Sequence, residues 1–288
     1  MPRVPEASYH LNAPTNTDAA CMTGLDMRSV APTVCRVLGV RAPSSAEAQP
    51  MREVVETMGV AERLAVVVID AFGSSTWAAA RREVPTYNAL AERHLARLRS
   101  MMPSITPVNF ATMLTGAHPD THGIRDRTER LTLETVFDVL RERGKASATA
   151  ARAASSLGIL ISPFADRPGL AGSNTDEEVR ALAVEALEAR ADLVWVQFLD
   201  VDDAGHQHGP LSPESVAAAH GDDGYLREIA EEAQKGGYGL MVLADHGQHT
   251  VVKGDGAMGG THGTDMDDDL SVPFIWCTNR ELKGALKP

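Results

Sequence analysis

Four stretches of the chain, 64–69, 193–198, 238–243 and 272–276, are short, almost wholly apolar and rich in β-branched residues. Runs of this length without polar alternation predict strands covered on both faces. A weaker fifth candidate, 146–150, follows a helical stretch that ends at Gly144. Between the runs the apolar spacing changes to that of helices. Thr175 and Glu178 predict a capping box, and Val179, Leu182, Ala183, Ala186 and Leu187 then recur on one helical face. Ser212 followed by Pro213 starts another helix, which Gly221 and Gly224 are expected to interrupt. Alternating strands and helices predict an α/β fold, a mainly parallel sheet with helices on both faces. With no internal repeat or low-complexity tract, the chain reads as a single domain over 1–288, in which 1–60 is the less certain N-terminal segment.

Parallel sheets place ligands beyond the carboxyl ends of their strands, so the polar residues that follow each apolar run carry the information. The run 64–69 ends in Asp70. The run 193–198 leads into Leu-Asp-Val-Asp-Asp-Ala-Gly-His at 199–206, and the run 238–243 leads through Ala244 into Asp245, His246 and Gly247. A fourth segment, 259–263, presents His262 just before the last strand. An aspartate after a strand is often only a helix cap. Carboxylate and imidazole delivered to one sheet edge by separate loops are, together, what a divalent-metal site requires. In the segment 102–124, Pro107 suits a first helical position, with Thr106 as N-cap and Gly116 as the helix end. A hydroxyl there faces backbone N–H groups that attract anions, and a simple capping role accounts for Thr106 equally well.

These residues resemble the alkaline phosphatase superfamily, and within it the nucleotide pyrophosphatase/phosphodiesterase branch. The likeness rests on Asp70, on Thr106 with Asn109, on Leu-Thr-Gly-x-x-Pro-x-x-His-Gly-Ile at 114–124, on Asp202 and His206 before Gly209 and Pro210, on Asp245-His246-Gly247 and on His262-Gly263, over roughly 62–276. The resemblance implies a nucleophilic Thr106 and two divalent ions, zinc ahead of manganese. Asp202, His206 and His262 would hold one ion, and Asp70, Asp245, His246 and the Thr106 oxygen the other. It also implies hydrolysis of a small phosphate ester through a phosphorylated Thr106. Asn109, one turn after Thr106, is expected to donate its amide to a phosphoryl oxygen, which favours a phosphodiester or nucleotide-type substrate over a monoester. Phosphomonoesterase, phosphonate hydrolase and cofactor-independent phosphomutase are the alternatives on the same scaffold. A catalytically silent metal-binding interaction protein is the alternative of another class. His118 and His122 are expected to fix a helix end, and His208, His249, Asp203, Asp265, Asp267, Asp268 and Asp269 to lie outside the site.

Charge and cysteine content narrow the partners. Twenty-seven Lys and Arg against 39 Asp and Glu give a net charge of -12, the wrong sign for a nucleic-acid polymer or an anionic membrane. No apolar run is long enough to span a bilayer, and Cys21, Cys35 and Cys277 lack ligand spacing. A cytoplasmic protein with free thiols is expected, and a homo-oligomer stays open. Only 38 residues separate His206 from Asp245 and 15 separate His246 from His262, so the chain reads as a minimal core whose loops at 125–130 and 164–176 select the substrate. The segment 29–43 resembles one that relatives carry after the last His-Gly motif. A circularly permuted chain would bring the helix at 32–38 beside the end of the strand 272–276.

Overall fold

The computed structural model describes residues 25–286. Eight strands form the central sheet: β1 (Leu25–Asp26), β2 (Arg63–Ile69), β3 (Leu95–Arg99), β4 (Ser147–Arg152), β5 (Arg167–Ala171), β6 (Leu193–Phe198), β7 (Tyr238–Leu243) and, last in the chain, β10 (Ser271–Cys277). A separate antiparallel hairpin consists of β8 (His249–Val252) and β9 (Met258–Thr261). The sheet order is β1-β3-β10-β7-β2-β6-β4-β5, and every pairing is parallel except those of β10 with β3 and β7. All five apolar runs are strands. β3, β5 and the hairpin carry no such run, because β3 alternates arginine with apolar residues and β5 is an exposed edge containing Pro168 and Gly169.

β7, β2 and β6 are neighbours at the centre and almost wholly buried. Each buried Val, Leu or Ile contributes about 1.5–3 kcal/mol, so the strands that end at the metal-ligand candidates form the best-anchored part of the fold. One helical layer contains Asp176–Glu188, Pro213–Gly236 and Asn279–Ala285, and another contains Val30–Val37, Thr106–Thr115 and Val136–Glu142. Among the described residues no helix is long and apolar enough to cross a membrane. Cys35 and Cys277 are free and buried, and Cys21 lies outside the described residues.

Three local expectations are corrected. Gly221 and Gly224 do not interrupt the Pro213–Gly236 helix, which runs 24 residues. Tertiary contacts override the low helix propensity of glycine there, since Leu226, Ile229, Ala230 and Ala233 are buried and Asp223 accepts the backbone N–H groups of Thr86 and Tyr87. Thr175 caps Asp176–Glu188 as expected, but the Glu178 carboxylate turns back to Ser173 and the capping box is half made. The Val30–Val37 helix packs on Arg52–Met58, Thr106–Thr115 and Val136–Glu142 rather than on the end of β10, while β1 just ahead of it lies at that end of the sheet, one strand beyond β3. The N-terminal segment therefore shares the sheet end of β10 without the direct packing a permuted chain was expected to show.

This segment is tied down by Arg41, whose guanidinium donates to both carboxylate oxygens of Glu134 and to Glu142, while Ser44 N donates to Glu134. The Arg41 hydrogen bond, with further help from Ser44, holds the Glu134 carboxyl down at about 2. A depressed carboxyl stabilises the fold above its unfolded value and loses that contribution as pH falls through the folded one. The stability advantage of the wild type over Glu134→Gln is therefore expected to be constant above about pH 5 and to shrink as pH falls from about 4.5 toward 2. Urea titrations of both proteins across that range measure it.

Candidate metal centre

Three adjacent strands deliver the candidate ligands to one edge. Asp70 follows β2, and its N–H still pairs with Phe198 O of β6 at 2.9 Å. After β6 the chain enters the helix Asp200–His208, where Asp202 and His206 stand four residues apart on one face. After β7 come Asp245 and His246, and β9 leads into His262. The turns that carry them touch backbone to backbone. A Cβ on Gly247 would lie 2.0 Å from Asp268 O, so only glycine fits between the Asp245 turn and the 267–270 turn. Ala71 adopts φ 57°, a left-handed conformation that aims its N–H at Asp245 Oδ1, 3.3 Å away.

The side chains form two touching groups. In the first, Asp202, His206 and His262 converge: His206 Nε2 is 3.4 Å and His262 Nε2 3.8 Å from Asp202 Oδ1, and the two Nε2 atoms are 3.2 Å apart. In the second, His246 Nε2 lies 3.5 Å from Asp70 Oδ1, 3.4 Å from Asp245 Oδ2 and 3.1 Å from Thr106 Oγ1. The His246 and His262 rings stack with centroids 3.9 Å apart, which joins the groups.

The surrounding hydrogen bonds decide which atoms remain free. His206, His246 and His262 each use Nδ1 to donate to a backbone carbonyl, of Gly260, Gly247 and Ser104 respectively. That fixes the tautomer and leaves each Nε2 as a bare lone pair. The carboxylates are treated alike. Gln197 Nε2 donates to Asp70 Oδ2 at 2.6 Å, Ala71 N donates to Asp245 Oδ1, and Gln248 Nε2 donates to Asp202 Oδ1 at 2.5 Å. Asp70 Oδ1 and Asp245 Oδ2 are buried with no hydrogen-bond partner. Bare nitrogens face one another and orphan oxygens face a nitrogen, an arrangement that only a positive charge between them makes favourable. Each of the two groups could hold a metal ion.

The electrostatics point the same way. Burial, and then the charges of Asp245 and Asp202, push the Asp70 carboxyl well above the usual range, and burial with Asp202 pushes Asp245 up to about 7. Burial lowers His246, and burial with the neighbouring His246 lowers His262 to about 4. Neutral imidazoles are the form that ligates metals. Gln197 positions Asp70 without touching the open side of the site, so Gln197→Leu is expected to weaken metal binding about 10–100-fold. Competition titration against a chelating dye reads this directly, and an unchanged affinity would show that Asp70 is held by other means.

Thr106 is the first residue of the Thr106–Thr115 helix, whose N-cap is Ile105, one position earlier than the sequence suggested. Its hydroxyl makes no capping bond and reaches His246 instead. Gly116, at φ 72°, ends the helix as expected. Asn109 is corrected. It is fully buried, its Oδ1 accepts from Met101 N, and its amide donates to Met101 O and Ile105 O. Those bonds exhaust the directions in which it could meet a phosphoryl oxygen, so Asn109 braces the turn ahead of Thr106. Arg125, in the first of the two loops expected to select substrate, is engaged with Asp120 and with the carbonyls of Pro119 and Ile124. Arg127 and Arg130 line a cavity of 550 Å³ with Ile159 and Phe164, which joins parts of the two loops expected to select substrate.

His118 and His122 shape the turn after that helix, His118 by accepting from Asp120 N and His122 by accepting from Ile124 N and pairing with Thr112. One residue set aside as peripheral is buried, while Asp203 is exposed as expected. Asp269 is fully buried, pairs with His249 Nδ1 at 2.8 Å, and accepts from Thr264 N and Oγ1, so it anchors the loop that follows His262. Asp203 pairs with Arg152. A string of acids at 265–269 looks like solvated charge, and only the return of the loop onto β8 singles out Asp269.

Comparison with known proteins places this geometry. The structure resembles that of phosphonoacetate hydrolase from Sinorhizobium meliloti 1021 in complex with phosphonoacetate, with a TM-score of 0.54 and 22% identity over 68% of this chain and 59% of that one. It also resembles murine ectonucleotide pyrophosphatase/phosphodiesterase 5 in complex with AMP, with a TM-score of 0.57 and 18% identity over 67% and 59% of the two chains. In sequence it is 38% identical over 86 residues to the 2,3-bisphosphoglycerate-independent phosphoglycerate mutase of Paracoccus denitrificans (strain Pd 1222), which is 30% of this chain and 16% of the mutase. The chain thus spans 59% of the length of these two structural neighbours and far less of the mutase. The family model for type I phosphodiesterase / nucleotide pyrophosphatase matches residues 64–143 and 163–276, which is most of the chain, and the protein belongs to that family.

Proposed function

We propose that this protein hydrolyses phosphate esters, with Thr106 as the nucleophile and two divalent cations, zinc ahead of manganese, held by Asp70, Asp245, His246 and Thr106 Oγ1 on one side and by Asp202, His206 and His262 on the other. The carrying observation is Thr106 Oγ1, free of any capping bond and 3.1 Å from His246 Nε2, beside the orphan oxygens of Asp70 and Asp245. When bound, the cations supply Lewis-acid stabilisation of the attacking and leaving oxygens. Three aspartates against two dications leave about one positive charge, which attracts phosphate to an otherwise acidic chain.

The residues of the chain supply the rest. The start of the Thr106–Thr115 helix turns its unpaired N–H groups toward an incoming phosphate. Thr106 gives up its proton, its oxygen bonds to phosphorus, and the ester oxygen leaves with its electron pair and takes up a proton. Water then attacks the same phosphorus, and the bond to Thr106 breaks, which restores the hydroxyl. The fixed Nδ1 bonds hold the three imidazoles still throughout, so little reorganisation is needed as charge moves.

A phosphodiester or nucleotide-type substrate remains the preferred reading, now supported by the family rather than by Asn109. Phosphonate cleavage is the second reading, supported by the likeness to phosphonoacetate hydrolase. Turnover of bis-p-nitrophenyl phosphate, p-nitrophenyl phosphate and phosphonoacetate, each with zinc and with manganese, separates them. The diester is expected to give the highest kcat/KM. A phosphonoacetate rate above both esters would replace the first reading with the second, and no turnover with two metals bound would sink both.

A further inference from the structure

At the same edge of the sheet, beyond β6, a second group of acids takes no part in the phosphate chemistry. Asp176 opens the Asp176–Glu188 helix, Asp200 opens the Asp200–His208 helix, and Asp222 lies within Pro213–Gly236. One oxygen from each lies within 4.8 Å of the others. Arg152, at the end of β4 and 3% exposed, donates to Asp176, Asp200 and Asp203 through its three nitrogens. Asp176 is also satisfied, because its second oxygen accepts from Leu199 N and Asp200 N.

Asp222 is not satisfied. Its side chain is fully buried, and neither of its oxygens has a hydrogen-bond partner. Four carboxylates, the buried ones of Asp176 and Asp222 and the half-exposed ones of Asp200 and Asp203, against one guanidinium leave a net charge of -3. Burial, followed by the charges of Asp176 and Asp200, raises the Asp222 carboxyl well above its usual range, so the group must be either protonated or compensated by a cation. A proton shared with a neighbour meets one Asp222 oxygen and leaves the other bare. A cation takes both.

The geometry points to a third cation site, formed by Asp176, Asp200 and Asp222, that takes a hard divalent ion, Mg²⁺ or Ca²⁺. The ligands are all carboxylate oxygens without imidazole or thiolate, the set such ions prefer and zinc does not require. Asp200 is 45% exposed, which gives the ion an entry and room for water ligands. The ion would tie together three helices, one of which carries Asp202 and His206, so it would steady half of the metal centre from behind. This inference holds whether or not the chain hydrolyses phosphate esters.

The test uses full-length protein carrying two equivalents of zinc, so that any response to Mg²⁺ or Ca²⁺ lies outside the transition-metal centre. At cation concentrations several times the dissociation constant, the wild-type unfolding midpoint is expected to rise by about 2–4 °C. Equilibrium dialysis should find one further ion per chain. Asp222→Asn keeps the shape of the side chain and is expected to abolish the rise and weaken binding at least tenfold. Asp200→Asn, at a half-exposed side chain, should weaken binding as well. No rise in the wild type, or a rise retained in both variants, would overturn the site. So would an Asp222→Asn protein more stable than the wild type at saturating cation, since that is the behaviour of a carboxyl that holds only a proton.

Discussion

Thr106→Ala is expected to lower kcat/KM by about 10⁴-fold or more while leaving both cations bound, because it removes the atom that bonds to phosphorus and only one of the oxygens around them. No phosphothreonine should form when the variant is quenched during turnover of a labelled substrate. Thr106→Ser keeps the oxygen but loses the methyl group that fixes its rotamer, so it should retain a measurable part of the activity. The Thr106 hydroxyl is 3.1 Å from His246 and does not cap its own helix, so the alanine variant loses little stability. That separates a chemical effect from an unfolded protein. An alanine variant within tenfold of wild type, with full metal content, would mean that another group or water attacks directly.

The largest effect on stability is expected at Arg152. Replacing it with Met keeps most of the side-chain volume but strips the cation from Asp176, which is fully buried, and from Asp200 and Asp203 at the start of the Asp200–His208 helix. Breaking a buried pair by removing one partner costs about 3–5 kcal/mol, because the surviving charge stays desolvated. For a chain of this size that corresponds to a fall in Tm of about 10 °C, measured without added Mg²⁺ or Ca²⁺. The double variant Arg152→Met with Asp176→Asn should recover a good part of the loss. Its amide oxygen can still accept from Leu199 N and Asp200 N, and the fully buried position 176 no longer carries a charge stripped of its partner. A loss under about 1 kcal/mol in the single variant would mean that the carboxylates take up protons freely there and that Arg152 is dispensable.

The sequence by itself determined the parts of this protein whose physics is local. Short apolar runs rich in β-branched residues read as strands covered on both faces, and their carboxyl ends are where ligands gather, so β2, β6 and β7 and the residues after them were legible without coordinates. Asp70, Asp202, His206, Asp245, His246 and His262 could be named as a set, because acids and imidazoles follow several strands at one edge and their order matches the family motifs. Thr106 was legible as a helix-start hydroxyl, but its freedom from capping was not. The strand β3 and the edge strand β5 escaped because a strand half exposed to solvent needs no apolar run. Other features were decided by tertiary structure alone. Asn109 has the spacing to reach a phosphate, yet its amide is consumed by the main chain of Met101 and Ile105, and hydrogen-bond competition of that kind has no period in sequence. Asp269 and Asp222 sit in acidic or glycine-bearing stretches that look solvated, and both are buried by elements distant in the chain. The cost of desolvating a carboxylate depends on what folds over it, which is why the charge of these residues could be counted from sequence but their roles could not.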